Sequence, residues 1–330
     1  MTGHYRKYKG ISRRKFILST TGAIAGITAA GVVGVSCIRK PGQPKTDLVE
    51  IDYIGPETLF PVYLSHFKKF KKTILHFKSL EEALFTGSNG SIVLLPLIQK
   101  APVLLMLLQM DKDVLTPFPL AKDYEEFDAL QKQSNLSDRR IAMLDPLRFW
   151  EPVQYFSSQI QSRIGSVRHI ELIVNQIRPA ESYLPPADGF TGNAARLIRL
   201  ISCILKRNPS GLVTRHNDLP ELEVDFDGIS LLCSSDSKSD GWSIVITGES
   251  LNISLNNEGI LTGINDIPGD NREAWDEKLK SEALAKNIGD FITVIRTRKE
   301  PEINSLDGMS AVALNLAAVQ STKEVDIQSL

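Results

Sequence analysis

Apolar residues are spaced along residues 48–150 as in alternating short strands and helices. Pro61 suits the first turn of one helix, and Ser79 with Glu82 has the spacing of a capping box at the start of the next. Short apolar or alternating runs, which are typical of strands, occupy residues 48–54, 73–77, 90–97, 114–115 and 140–148. Strands that alternate with helices in this way favour a parallel sheet with crossover helices.

Residues 113–130 combine a short buried strand, a proline-containing turn and a helix. The turn contains Pro117 and Pro119, and Asp123 stands where a helix N-cap is expected. Apolar residues after Asp123 recur at helical spacing, so they share one helix face. The first half of the chain is organised around this segment.

The second half of the chain has a different pattern, in which strands follow one another with few helices between them. A helix is predicted at residues 152–160, a strand at 164–170, and a further helix within the apolar run of 188–209. From there on, polar turn clusters separate short strands at residues 222–226, 229–233, 242–247, 251–255 and 260–262. This order predicts strands that are connected by hairpins.

The N-terminal segment has the organisation of an export signal. Arg13 and Arg14 precede Phe16 and the uncharged residues 17–36, which matches the twin-arginine pattern. The glycines and threonines of this stretch make it weakly hydrophobic for a membrane span, although a transmembrane anchor is the alternative. The signal predicts a protein that is exported by the twin-arginine route.

A cysteine ends this uncharged stretch. Cys37 follows a small residue, as at a lipoprotein processing site, although Gly34 stands where leucine is usual. We therefore expect residues 1–37 to be a signal of the lipoprotein type and residues 38–47 to be a tether. The mature protein is expected to be periplasmic, or attached to the membrane only through a lipid on Cys37.

The formal net charge of −1 hides an uneven distribution of charge. Residues 1–37 carry six basic and no acidic side chains, so the rest of the chain has 32 basic and 39 acidic ones. A mildly acidic body argues against nucleic-acid binding, which depends on clustered lysine and arginine. One dense basic run remains, and it is predicted to be a solvated helix end: Lys68, Lys69, Lys71 and Lys72.

Neither the remaining cysteines nor the histidines predict a reactive or metal site. Cys203 lies in a helical pattern and Cys233 in a strand pattern, so two isolated buried thiols are expected, with a disulfide as the alternative. His76 and His169 alternate with apolar residues and are predicted to lie on strand faces. No C-x-x-C, no H-E-x-x-H and no paired histidine ligands occur, so no metal is expected.

Five stretches match the consensus text of one enzyme family. They resemble its D-A-V-x-I-x-T-P strand, its x-R-F-x-P crossover, its x-I-G-x-V-x-x-I strand, its N-F-x-D-x-I-R-T-R-K-x-P tail and its final D-G-x-x-A helix, at residues 90–97, 147–152, 164–170, 284–301 and 307–318. On these motifs the chain resembles the glucose–fructose oxidoreductase, inositol dehydrogenase and rhizopine-catabolism (Gfo/Idh/MocA) family.

This resemblance implies an α/β fold with two domains. Residues 48–145 are expected to form a truncated, degenerate Rossmann-like domain, because the chain has no room for one strand and helix of the family pattern. Residues 146–330 are expected to form an α+β domain with a large, mostly antiparallel sheet. In the family this second sheet is a platform for sugar binding and for dimerisation.

The positions at which the family holds cofactor and substrate carry other residues here. Glu57 and Phe60 stand at the second and third glycines of the glycine-rich turn. Phe118 replaces the lysine of the E-K-P motif, and Gly192 and Arg196 replace the first aspartate and the histidine of D-x-G-x-H-x-x-D. We therefore expect no catalytic residue and no cofactor, with NAD(P) as the alternative.

Arginines remain as candidate ligand-binding residues. Arg148 in the crossover, and Arg196 and Arg199 on the following helix, can bind a carboxylate or a phosphate. For the two helix residues, an exposed helix face is the alternative. Trp242 and Trp275 are candidates for stacking on a sugar, or else for a place in the core or at an interface.

Three functions are consistent with these residues. The first is an exported, catalytically degenerate protein that binds a carbohydrate, or that pairs with an intact family enzyme, as a homo-oligomer or hetero-oligomer. The second is an active NAD(P)-dependent sugar oxidoreductase or lyase with an unconventional site. The third is a surface lipoprotein scaffold without a small-molecule site. Carbohydrate binding without nucleotide binding would separate the first from the second.

Overall fold

The computed structural model describes residues 48–174, 189–216, 220–234, 241–263, 277–307 and 325–326. These residues belong to one compact unit, Thr46–Leu330. Within the described part, none of the helices combines the length and the apolar composition that a membrane span requires. The predictions for the signal, Cys37, Trp275 and the final D-G-x-x-A helix beyond Asp307 lie outside the described residues.

The first sheet has five parallel strands in the order β2-β1-β3-β4-β5. Its strands are β1 (Val49–Ile54), β2 (Thr73–Phe77), β3 (Gly90–Val93), β4 (Asp113–Pro117) and β5 (Ile141–Leu144). Every residue of β3, β4 and β5 is buried, as expected for parallel strands that are covered on both faces. A single strand, β2, lies outside β1, so the prediction of a truncated Rossmann-like sheet is confirmed.

Four helices connect these strands: α1 (Phe60–Phe67), α2 (Leu80–Phe85), α3 (Leu97–Gln109) and α4 (Tyr124–Ser137). Both predicted caps are present. Ser79 Oγ accepts a hydrogen bond from Glu82 N at 3.2 Å, and the backbone N–H of Ser79 donates to the Glu82 carboxylate, which lowers the pKa of Glu82. Asp123 Oδ1 accepts from Glu126 N at 2.9 Å. Cap residues act through their own chain neighbours, so they can be recognised from spacing alone.

A buried ion pair lies inside the first sheet. Lys112 Nζ, on a side chain that is 1% exposed, donates to Asp52 Oδ2 at 2.7 Å. The ammonium also donates to the hydroxyl oxygens of Thr86 (2.6 Å) and Ser88 (2.8 Å) and to the carbonyl oxygen of Ala83. Burial lowers the pKa of Lys112, and the hydrogen bond and charge of Asp52 offset this in part. Two charges inside a core require such a set of partners.

The second sheet has eight strands in the order β12-β11-β10-β6-β9-β8-β7-β13. All of its neighbouring strands are antiparallel except β6 and β9. Its strands are β6 (Val167–Val174), β7 (Gly211–His216), β8 (Pro220–Asp225), β9 (Ser230–Ser234), β10 (Trp242–Gly248), β11 (Asn252–Asn256), β12 (Leu261–Thr262) and β13 (Val325–Asp326). The described helices of this half are α5 (Glu151–Arg163), α6 (Gly189–Leu205) and α7 (Glu277–Thr297). The predicted fold class is therefore confirmed. Strands β7 and β13 were not predicted, because neither segment shows a clear alternation of apolar and polar residues.

The second sheet buries one face and leaves the other partly exposed. On β6, Ile170, Leu172 and Val174 are buried, whereas His169 is half-buried and Glu171 is exposed. His169 Nε2 lies 3.8 Å from Glu171 Oε1, so this histidine is a sheet-face residue, as predicted. The alternation means that the buried face belongs to the core and the other face is open among the described residues.

Two tryptophans pack against each other in the core. Trp150 and Trp242 are both buried, and their rings meet edge to face with centroids 6.4 Å apart. The sugar-stacking role considered for Trp242 is therefore wrong, and its alternative place in the core is confirmed. Cys203 on α6 and Cys233 on β9 are both free, so the expectation of isolated thiols is confirmed, although only Cys233 is fully buried and Cys203 is half-buried.

The arginines of the I-R-T-R-K-E-P tail fasten α7 to the first sheet. Arg298 Nη1 donates to both carboxylate oxygens of the buried Asp113, at 2.8 and 2.6 Å. Arg296 Nη2 donates to the carbonyl oxygen of Lys71 at 2.7 Å. These tail residues therefore have a structural role in this chain.

Candidate functional site

The candidate site lies at the edge of the first sheet where the parallel strands end, since loops at this edge form the ligand crevice of open α/β sheets. The first loop follows β1. Gly55 begins it, and Glu57 then starts a short 3-10 turn that leads into α1 at Phe60. Glu57 is exposed at the start of this turn, as a carboxylate in the place of a glycine. The two positions predicted to match the second and third glycines of the family's turn, Glu57 and Phe60, thus carry a negative charge and an aromatic ring.

Aromatic rings pack behind this loop. Tyr53, which is fully buried, lies with its ring centroid 5.4 Å from those of both Phe60 and Tyr63, and 6.0 Å from that of Phe77. Its hydroxyl donates to the carbonyl oxygen of Pro56 at 2.9 Å, and burial raises the pKa of Tyr53. Phe60 therefore belongs to an aromatic cluster that supports the loop.

Replacing Gly55 with alanine is expected to lower the free energy of unfolding by about 1–3 kcal/mol, because the added Cβ would overpack the loop. That atom would lie 2.8 Å from Leu94 Cβ. Urea unfolding followed by circular dichroism measures the change. Gly87→Ala is the matched control, since its Cβ would meet nothing within 4 Å. Equal stability of the two variants would contradict the packed geometry.

The turn after β4 contains the position predicted to match the lysine of the family's E-K-P motif. Phe118 occupies that position and is half-buried against the core. A lysine from a neighbouring helix lies beside it: Lys100 Nζ, on a buried side chain of α3, donates to the carbonyl oxygens of Pro117 at 2.9 Å and Pro119 at 2.8 Å. An ammonium group is therefore present at this turn, and it binds the backbone on both sides of Phe118.

The loop after β5 meets α6 through an ion pair. Asp145, which is 1% exposed, directly follows β5, and its Oδ1 lies 3.2 Å from Nε of Arg196. Arg196 is 12% exposed, and it is the residue predicted to match the histidine of the family motif. The backbone N–H of Asp145 donates to Asn287 Oδ1 at 2.8 Å. Gly192 lies one turn earlier on α6.

The other two candidate arginines converge on a second carboxylate. Arg199 Nη2 donates to Asp307 Oδ1, and Arg148 Nη1 lies 3.7 Å from Asp307 Oδ2. Asp307 Oδ2 also accepts from Asn304 N at 2.9 Å. Arg199 is 15% and Arg148 22% exposed, so the exposed-face alternative for the arginines on α6 is wrong.

Further polar groups surround this cluster. Burial raises the pKa of the Cys203 thiol, and the charges of Arg148 and Arg199 lower it in part. Burial also raises the pKa of Asp290, against a hydrogen bond from Glu302 N and the charge of Arg148. The predicted arginines therefore come together among carboxylates in a partly desolvated place, where charge-assisted hydrogen bonds are strong.

The arrangement favours binding an anion over moving a proton. Three guanidinium groups lie beside Asp145 and Asp307, with Asp290 close to Arg148, and guanidinium groups stay protonated at all ordinary pH values. Among the described residues no group of three or more metal-ligating side chains occurs. Sequence reasoning missed Asp145, Asp307 and Lys100, although an acid that directly follows a parallel strand is a signal that could have pointed to Asp145.

Solved structures share this fold. The WlbA dehydrogenase of Bordetella pertussis, in complex with NADH and UDP-GlcNAcA, matches with a TM-score of 0.71 and 15% identity over 86% of this chain and 99% of its own. An Agrobacterium radiobacter oxidoreductase in complex with NAD+, L-tartaric acid and magnesium gives 0.70 and 14% over 86% and 99%. Scyllo-inositol dehydrogenase of Lactobacillus casei, with NAD(H) and scyllo-inositol, gives 0.65 and 11% over 85% and 99%. No protein-family model and no curated protein matches the sequence.

These structural neighbours are Gfo/Idh/MocA-type oxidoreductases, so the resemblance read from the sequence is confirmed for the fold. They correct one expectation. The prediction that no cofactor is involved is wrong for this fold, because structures with it are crystallised with NAD or NADH. The prediction relied on the absence of the glycine-rich motif, but the strand order that forms the crevice is present without that motif.

Proposed function

We propose that this chain is an exported protein of the oxidoreductase fold that has lost the family's proton-transfer chemistry and binds an acidic carbohydrate. The observation that carries the proposal is the ion pair between Arg196 and Asp145. A general base must accept a proton near neutral pH, and an arginine in the place of the histidine cannot do so. The helix position that serves catalysis in the family here serves to neutralise a buried carboxylate.

The ligand would bind beside Arg148. This arginine is the most exposed of the three, and its distance of 3.7 Å to Asp307 is longer than a hydrogen bond. Arg196 and Arg199 hold their carboxylates at shorter range. A carboxylate on a sugar can take a bidentate pair of hydrogen bonds from a guanidinium group, whereas a neutral sugar cannot gain the charge-assisted part.

The ligands of the structural neighbours support this class of ligand. The Bordetella and Agrobacterium proteins are in complex with UDP-GlcNAcA and L-tartaric acid, and the Lactobacillus protein with scyllo-inositol. All three compounds carry several hydroxyl groups, and two of them are acids. An acidic, polyhydroxylated ligand fits the arginines of the present cluster better than a neutral one, because Arg148 lies beyond hydrogen-bond distance of Asp307 and can donate to a carboxylate of the ligand.

A dinucleotide would meet different contacts here than in a glycine-rich turn. The space beside Gly55 is filled by the protein itself, because an added Cβ would lie 2.8 Å from Leu94 Cβ and 3.3 Å from the Tyr53 hydroxyl. Glu57 and Phe60 do not fit the pyrophosphate, because one adds a negative charge and the other a ring. NAD or NADP would therefore have to be held by groups other than this turn. When bound, such a cofactor supplies hydride transfer.

A working NAD(P)-linked sugar oxidoreductase is the second candidate function, and Lys100 favours it. Its Nζ binds the carbonyl oxygens on both sides of Phe118, so the ammonium group lies close to the place of the family's lysine. In this candidate, a lysine from α3 replaces the lost lysine of the turn. Cofactor reduction that depends on Lys100 would support it over the first candidate.

The proposal includes export and attachment through a lipid on Cys37, as the signal-like residues 1–37 suggest. Labelled palmitate added to cells should enter the full chain and not the Cys37→Ala variant. The open face of the second sheet is proposed as the surface that pairs with a second copy or with an intact family enzyme. Light scattering of the purified protein, alone and mixed with such an enzyme, tests this pairing.

Replacing Arg148 with alanine is expected to weaken glucuronate binding at least about tenfold, because a hydrogen-bonded charge pair contributes roughly 1.5–3 kcal/mol. Calorimetry on the body from Ile38 onward measures the affinity. Glucose is the neutral counterpart and should bind more weakly than glucuronate. Arg207→Ala removes an exposed arginine and should leave binding unchanged. Equal affinity of the Arg148 variant and the unchanged body would contradict the proposed role.

A further inference from the structure

A group of basic side chains lies at the opposite edge of the first sheet, where the chain enters the folded body. This basic edge consists of Lys68, Lys69, Lys71, Lys72 and Arg296, which are all exposed. The first of them caps the C-terminus of α1, and the next three lead from α1 to β2. The prediction that this lysine run is a solvated helix end is thus confirmed for its position.

The basic edge is joined directly to the start of β1. The backbone N–H of Val49 donates to the carbonyl oxygen of Lys72 at 2.9 Å. From the last turn of α7, Arg296 Nη2 donates to the carbonyl oxygen of Lys71 at 2.7 Å and lies 3.2 Å from Thr73 Oγ1. The loop that carries the lysines is therefore held in place beside the point where residues 38–47 lead into the fold.

Helix dipoles explain only part of this charge. Lys68 caps the C-terminus of α1, where cations are favourable, and Arg296 lies in the last turn of α7. Lys71 and Lys72 follow the helix and gain little from its dipole, which acts within the last turn. Among the described residues at this edge, Glu50 of β1 is half-buried, and Asp138 and Glu300 pair with Arg140 beside β5. The lysines thus form a local positive patch on a body whose net charge is negative.

We propose that the basic edge binds the anionic headgroups of the membrane to which the chain is attached. The inference rests on the export and lipidation proposed for Cys37. Residues 38–47 reach at most about 35 Å when fully extended, so the entry point of the chain is the part of the body that is held nearest the membrane. Arg39, Lys40 and Lys45 add basic side chains to this tether.

Headgroup binding would orient the candidate site. In a parallel sheet all strands begin at one edge and end at the other, so the basic edge and the arginine cluster lie at opposite ends of the strands. If the body binds the membrane through its basic edge, the cluster of Arg148, Arg196 and Arg199 faces away from the membrane. The attached protein would then hold its ligand-binding edge open to the surrounding solution.

Flotation with lipid vesicles tests the proposal on the body from Ile38 onward, which contains the whole compact unit Thr46–Leu330. Vesicles of phosphatidylglycerol and phosphatidylcholine in equal parts are compared with pure phosphatidylcholine at low ionic strength. Each lysine near an anionic surface strengthens binding about fivefold. Replacing four lysines with glutamine should weaken binding to the anionic vesicles at least about tenfold, allowing for screening: K68Q, K69Q, K71Q and K72Q.

A second variant with the same change in charge is the control: K122Q, K132Q, K206Q and K286Q. These four exposed lysines lie elsewhere on the body, so this variant should float like the unchanged protein. Circular dichroism checks that both variants are folded. Failure of the unchanged body to float with anionic vesicles, equal binding to neutral vesicles, or equal loss in both variants would overturn the proposal. Palmitate labelling reports separately on Cys37, so a failure of lipidation is distinguishable from a failure of the basic edge.

Discussion

Replacing Asp52 with alanine is expected to lower the free energy of unfolding by roughly 3–5 kcal/mol, because a buried charge loses its counter-ion. Lys112 Nζ would remain buried with two hydroxyl groups and one carbonyl oxygen as partners, and without the carboxylate that now lies 2.7 Å away. The hydroxyl groups of Thr86 and Ser88 also lose the oxygen to which they donate. Urea unfolding at neutral pH measures the change.

The stability lost in this variant should be regained in part at high pH. Burial lowers the pKa of Lys112, and Asp52 partly restores it, so removing Asp52 lowers the pKa further. Above that folded-state pKa the unfolded chain binds more protons than the folded one, so stability rises with pH up to the unfolded lysine pKa of about 10.4. Asp52→Asn keeps the size of the side chain and separates loss of charge from loss of packing. A variant within about 1 kcal/mol of the parent at neutral pH would contradict the ion-pair account.

Replacing Arg196 with alanine is expected to lower the free energy of unfolding by roughly 3 kcal/mol, because Asp145 would remain buried after losing its charged partner. Arg196 Nε lies 3.2 Å from Asp145 Oδ1, and the aspartate is 1% exposed. An arginine that served a ligand from an exposed helix face would change stability by less than about 0.5 kcal/mol when removed. The stability of the variant therefore reports whether this position is structural.

Two controls sharpen this measurement. Arg207→Ala removes an exposed arginine shortly after the same helix and should change stability little. Adding Asp145→Asn to the Arg196 variant removes the buried negative charge, so the double variant should regain part of the loss. If Arg196→Ala were as stable as Arg207→Ala, the position would be free for a ligand or for chemistry, and the proposed replacement of the catalytic histidine by a structural ion pair would fail.

The elements of the fold could be predicted because their signals are local. Ser79 and Asp123 cap their helices through residues three positions away, and the buried strands β3 to β5 consist mainly of apolar residues. The truncation of the first sheet followed from counting strands in one stretch of chain. Such features depend on neighbours in sequence, so spacing and residue type suffice to find them.

The contacts of the candidate site could not be predicted in the same way, because they join distant parts of the chain. Asp145 meets Arg196 only after the second sheet has brought α6 over the end of β5, and Asp307 meets Arg148 and Arg199 from the far end of the chain. Lys100 reaches the turn at Phe118 from a different helix. The family pattern pointed to the three arginines, but their pairing with carboxylates is a property of the folded chain.

Turnover tests the central claim, which is that this fold here binds a ligand without the family's proton-transfer chemistry. The body from Ile38 onward is mixed with NAD+ or NADP+ and with glucose, glucuronate, inositol or tartrate, and reduction of the cofactor is followed by absorbance. An inositol dehydrogenase of the same fold is the positive control. We expect no reduction above the rate without protein for any substrate, while glucuronate still binds in calorimetry. Steady reduction that disappears in a Lys100→Met variant would contradict the account and establish an active enzyme with a relocated lysine.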